Sequence, residues 1–181
     1  EIRKVFLEIL LKRKYNTIEE FNKIISDQNE IDKIQTELQY ISKQEYWGRI
    51  TWTFFHVMSF KIKNEYFDSF KDEYLDMCKQ ICRNIPCSVC KKHSNIVMDI
   101  VDFELIKTKN DLQSFFYDFH NSVNMGTEKP VFPEENMLVY NEFKTEYIIK
   151  VFNIVLEKMY KKEIYDIFNI WISNNIDKFD D

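Results

Sequence analysis

Ile85-Pro86-Cys87-Ser88-Val89-Cys90-Lys91-Lys92-His93 decides how the rest of the chain is read. Pro86 fixes its own φ and has no N–H to lose, so the stretch predicts a helix whose first turn holds the proline. Cys87 and Cys90 then share one helical face, close enough to bridge, and the helix N-terminus favours thiolate over thiol. His93, three residues after Cys90, lies beside the second sulfur. These are the attributes of a redox dithiol. Zinc knuckles use the same spacing, so the alternative from another class is a zinc-binding helical interaction module built on the cysteine cluster.

Outward from this stretch the chain reads as helices. Residues 64–83 place Phe67, Phe70, Tyr74, Met77 and Ile81 at helical spacing, with Cys78 and Cys82 one turn apart. That helix ends at Asn84-Ile85, because the residue before a proline is pushed out of the helical region. Further upstream, Trp47, Ile50, Phe54 and Met58 share one side of a helix, and Arg49, Trp52 and His56 share another. Guanidinium, indole and imidazole in a row are an unusual way to fill a core. Downstream, Asn110 is placed to cap a helix that turns Leu112, Phe115, Phe116 and Phe119 inward and stops near Gly126. It carries His120, Asn121 and Asn124, an imidazole and two amides suited to the polar edge of a heterocycle.

The stretch from Lys129 to Pro133 reads as a loop, and residues 136–176 as two further helices. Phe143, Tyr147, Val151, Val155, Ile164, Phe168 and Trp171 mark the apolar positions of this region, and the last five residues, three of them aspartate, read as a frayed tail. Residues 1–43 read as an N-terminal helical extension, 44–145 as a core and 146–181 as a C-terminal helical extension.

Composition narrows the chemistry. Aromatics make up 16% of 181 residues and apolar residues 45%, enough for a packed core, while two glycines and three prolines favour long helices and short turns. Two glycines cannot supply the three of a dinucleotide-binding G-x-G-x-x-G, so a nucleotide has to be held by helices and side chains. A net charge of −5 gives no support to nucleic-acid binding, and no apolar run reaches the length of a membrane span. All four cysteines lie between Cys78 and Cys90, which reads as a site, since a secreted disulfide scaffold would scatter them.

Three segments taken together, W-G-R-I-T-W-T-F-F-H, I-P-C-S-V-C-K-K-H and F-H-N-S-V-N followed by K-P, resemble the Erv/ALR family of FAD-linked sulfhydryl oxidases over residues 44–145. The family's marks are W-x-x-x-H, P-C-x-x-C and H-N-x-V-N. The histidine after the Cys-x-x-Cys segment and the lack of a long-range structural disulfide resemble its viral branch most closely.

The resemblance implies an all-α fold: a four-helix FAD-binding bundle with a short fifth helix, here with helical extensions at both ends. It implies an FAD-dependent thiol oxidase that makes disulfide bonds in protein dithiols and passes electrons to O2, giving H2O2. Cys87 is implied as the cysteine attacked by substrate and Cys90 as the one against the flavin. Arg49, Trp52, His56 and His93 are implied to line the flavin and its phosphates. His120, Asn121, Val123 and Asn124 are implied to hold the adenosine half, and Lys129 to lie near phosphate and ribose. Tyr140, with Phe143 as the other candidate, is implied as the aromatic against adenine. A homodimer, a thioredoxin-like protein donor and an intracellular setting are implied as well: the cytoplasm of an infected cell or the virion for a viral protein, the mitochondrial intermembrane space for a cellular one. The family's second, shuttle cysteine pair has no counterpart in these 181 residues.

Overall fold

The structure, a computed structural model, describes residues 43–181, and the expected N-terminal helical stripes lie outside the described residues. Among the described residues six α-helices follow one another: α1 Lys43–Lys61, α2 Phe67–Arg83, α3 Ser88–Ile100, α4 Lys109–Gly126, α5 Thr145–Met159 and α6 Lys162–Asn175. Among the described residues there is no strand, only an isolated antiparallel bridge between Ile62 and Phe179.

α1 lies at the centre because it is apolar on more than one side. Trp47, Ile50, Phe54 and Met58 are buried as their spacing predicts, and Phe55 and Val57 are buried too. α1 packs against both α4 and α5, and α3 packs against α2 and α4. Phe54 stacks on Phe152 of α5 at 4.2 Å and meets Phe168 of α6 edge-on at 5.4 Å. The C-terminal helices therefore share one hydrophobic core with α1–α4.

Three local expectations are corrected. Pro86 precedes the helix instead of opening it: α3 starts at Ser88, and Cys87 is its N-cap, with extended backbone and its Sγ accepting the Cys90 N–H. Sulfur takes the role that an oxygen usually fills at that position. The cap of α4 is Thr108, not Asn110, in a reciprocal capping box with Asp111. The expected short fifth helix is present in 3-10 form, Leu138–Glu142.

The frayed tail is instead clamped down. Phe179 is buried, the Asp180 N–H donates to the Lys61 carbonyl at 2.7 Å, and the Lys63 N–H donates to the Lys178 carbonyl at 2.9 Å. Thr145 Oγ1 donates to the Asp180 carbonyl, and the Lys178 ammonium sits 4.4 Å over the Phe70 ring. Three aspartates suggested solvent, but one phenylalanine in a pocket decided the matter.

Candidate active site

Between α1, α4 and the loop after α4 lies a cavity of about 650 Å³, within the range of about 300–1,000 Å³ usual for small-molecule sites. Helix α1 supplies Trp47, Arg49, Thr51 and Trp52 to its wall, and α4 supplies His120, Val123 and Asn124. Lys129 and Phe132 come from the loop, Tyr140 from the 3-10 turn, and Cys82, Cys90 and Ser94 close one end.

At the cysteine end, Cys87 Sγ and Cys90 Sγ are 2.6 Å apart, and only Cys90 reaches the cavity wall. Burial pushes the Cys87 thiol up. The Cys90 thiol, the N–H groups of Cys90 and Val89 and the Lys129 ammonium outweigh it, and Cys87 lies below its ordinary value. Burial raises Cys90 to about 11, helped by the hydrogen bond and the charge of Cys87 and opposed by Lys129. In the dithiol the first proton is therefore lost from Cys87. Two of the influences that raise Cys90 come from Cys87 itself and vanish once Cys87 is covalently occupied.

His93 lies behind this end, its Nδ1 buried without a partner. Gly126, at the end of α4, lets it in: a Cβ there would lie 2.5 Å from His93 Nδ1. His93 is not on the cavity wall.

The other end is aromatic. Trp52 stacks on His120 with centroids 4.3 Å apart and planes 10° from parallel. His120 also stacks on Phe132 at 4.8 Å. His56 is fully buried behind this layer, 3.0 Å from His120 Nδ1 through its Nε2 and stacked on Tyr140 at 4.6 Å. Burial, reinforced by His120, holds its pKa well below the usual histidine value, so it stays neutral. His56 thus orients two residues of the wall without reaching the cavity.

Asn121 is also spent on construction. Its Oδ1 accepts the Phe132 N–H at 2.7 Å and its Nδ2 donates to the Phe132 carbonyl at 3.1 Å, pinning the loop to α4. Asn124 donates to the Pro130 carbonyl at 3.2 Å and still faces the cavity. Lys129 follows Glu128, whose φ of 56° is the one left-handed non-glycine conformation among the described residues. Phe143 is buried away from the wall, which leaves Tyr140 as the aromatic of the 3-10 turn that faces the cavity.

Of the ten expected cofactor-binding residues, Arg49, Trp52, His120, Val123, Asn124, Lys129 and Tyr140 line the cavity, and His56, His93 and Asn121 stand behind it. Sequence reasoning missed Thr51, Cys82, Ser94 and Phe132. Only Phe132 carried a signal, an aromatic between Val131 and Pro133 in a short proline-bounded loop. Among the described residues, no three of His, Cys, Asp and Glu gather as a metal centre would need, and no helix is long and apolar enough to cross a membrane.

A model of the Erv1/Alr family matches residues 49–148. A protein of Invertebrate iridescent virus 6, named as an FAD-linked sulfhydryl oxidase, is 31% identical over 94 residues, 49% of this chain and 85% of the viral protein. No solved structure matches the chain. The matched region runs from Arg49 to Ile148 and holds the cavity wall apart from Trp47 and Gly48, both sulfurs of the Cys-x-x-Cys pair and the aromatic layer; this chain belongs to the Erv1/Alr family.

Proposed function

We propose that this chain is an FAD-dependent thiol oxidase in which Cys87 and Cys90 form the redox pair. One observation carries the division of roles: Cys90 lines the cavity and Cys87, 2.6 Å away, does not. FAD fits the residues present. Stacked aromatic rings suit adenine, Arg49 and Lys129 supply cations for the phosphates, and Cys90 forms the wall where a redox ring would meet sulfur.

The chain's own chemistry follows from the cap geometry. A substrate thiolate attacks Cys87 of the oxidised pair, the Cys87–Cys90 bond breaks, and Cys90 leaves as a thiolate. A second substrate thiolate attacks the substrate sulfur of the mixed disulfide and expels Cys87, whose thiolate is held by the N–H groups at the start of α3 and by Lys129. The substrate dithiol has become a disulfide and the pair a dithiol. FAD, when bound, supplies the two-electron acceptor that reoxidises the pair and delivers the electrons to O2 as H2O2. Trp52, His120 and Tyr140 exclude water from the aromatic end, and Lys129 lowers both thiols.

The donor in this reading is a protein dithiol of thioredoxin-like type. The other two cysteines, Cys78 and Cys82, are buried, and in this reading the donor meets Cys87 directly. The reading includes a homodimer. Purified protein mixed with FAD is expected to take up one flavin per chain and to consume O2 with dithiothreitol, releasing H2O2. Protein that folds but takes up no flavin defeats it.

A further inference from the structure

Tyr160 follows directly on α5, outside the family-matched residues, yet its side chain packs behind two residues of the cavity wall. Thr51 lines that wall and is itself buried, and its hydroxyl donates to the Trp47 carbonyl one turn earlier at 2.7 Å. Its single proton is thereby committed. The 2.9 Å contact between Thr51 Oγ1 and the Tyr160 hydroxyl must then run from tyrosine to threonine. The Tyr160 ring also meets the indole of Trp47, another wall residue, edge-on at 6.3 Å and 86°.

Burial raises the Tyr160 hydroxyl well above its usual value; Thr51 opposes this, and the charges of Cys82 and Cys90 add to it. The donor is permanent at any working pH. Two wall residues of α1 are thus held from behind by one residue of the C-terminal helices.

We propose that Tyr160 is a positioning residue of the flavin site: by donating to Thr51 and bracing Trp47 it sets the stretch of wall those two residues form, so that the C-terminal region forms part of the cofactor site. This rests on the reading of the cavity as the FAD site. A bare buttress for the fold would only need the ring, whereas this role needs the hydroxyl.

The decisive variant is therefore Tyr160→Phe, which keeps the ring and removes the donor. With one hydrogen bond at stake, FAD affinity, read by quenching of flavin fluorescence, should weaken roughly two- to tenfold, and the visible absorbance maximum of the bound flavin should move. Thr51→Val should do the same, Thr51→Ser should restore wild-type values, and the double variant Tyr160→Phe/Thr51→Val should be no worse than either single one. Should Tyr160→Phe fail to fold, the Thr51→Val and Thr51→Ser pair gives the same readout with Tyr160 in place. A Tyr160→Phe protein of lower melting temperature whose flavin affinity and absorbance match wild type would overturn the proposal. Wild-type protein that takes up no FAD would instead defeat the underlying reading of the cavity.

Discussion

Cys87 and Cys90 differ in more than exposure. Cys87 caps α3 and receives an N–H at 3.2 Å, and Cys90 sits inside the first turn with its sulfur on the cavity wall. In the reduced chain, alkylation by iodoacetamide should fall on Cys87 first, with a rate that titrates below the ordinary thiol value of about 8.5. Lys129→Ala removes one of the influences that lower it, so the titration should move up; mass spectrometry of the modified site checks both. An unmoved profile would remove Lys129 from the thiol chemistry.

Gly126 makes a second test at this scale. A methyl group there meets the buried His93 ring at 2.5 Å, and overpacking of this kind costs about 1–3 kcal/mol. Gly126→Ala should therefore lower the urea midpoint; a midpoint equal to that of wild type would mean that His93 swings away freely. The sequence named His93 for its place three residues after Cys90, and it could not show that a glycine 33 positions later makes the room. Cys87 as a cap was equally hidden, since proline statistics point to the first helical turn and the extended backbone at Cys87 is imposed by the turn from α2.

At the scale of elements, periodicity was a good guide wherever one face of a helix was buried. α2, α5 and α6 bury the apolar positions their spacing predicts, and α4 buries Leu112, Phe116 and Phe119 while Phe115 stays half-exposed. It failed at ends, where a few side chains outweigh propensity: Thr108 with Asp111 moved the start of α4, and Phe179 fixed a tail that looks solvated. Partners across the core were not legible at all, because nothing in the spacing of α1 or α5 says that they pack together. Their contact gives a direct test. Phe152 is fully buried and stacked on Phe54, so Phe152→Ala should cost about 3–5 kcal/mol of unfolding free energy. Urea denaturation followed by helical circular dichroism measures it. A loss below about 1 kcal/mol would mean that the α1–α5 contact collapses around the gap or forms no part of the stable core.

For the whole molecule, buried titratable groups predict a stability dome in pH. His56 is held neutral in the fold, so the unfolded chain binds the extra proton below its ordinary value near about 6.5, and stability falls as pH drops through that region. Cys78, Cys82, Tyr74 and Tyr160 are raised by burial above all. Unfolded, they lose protons from about pH 8.5 for the cysteines and about pH 10 for the tyrosines, so their stabilisation is complete below those values and is lost as pH rises. The melting temperature should therefore peak between about pH 6.5 and 8.5; a melting temperature that still climbs at pH 10 would contradict the burial of these groups. The Cys-x-x-Cys pair, the paired histidines and the loop lysine were all legible in the sequence as chemistry, but their assembly round one cavity needed α1 and α4 side by side.

The central claim is that electrons leave the thiol pair through Cys90. It is tested most directly by adding dithiothreitol, without oxygen, to FAD-loaded wild type and to the Cys90→Ser and Cys87→Ser variants while following flavin absorbance. Wild type should bleach rapidly, Cys90→Ser should stay oxidised with its FAD still bound, and Cys87→Ser should show a long-wavelength band from the Cys90 thiolate lying against the flavin. Bleaching of Cys90→Ser at the wild-type rate, or the band appearing in that variant instead, would contradict the account.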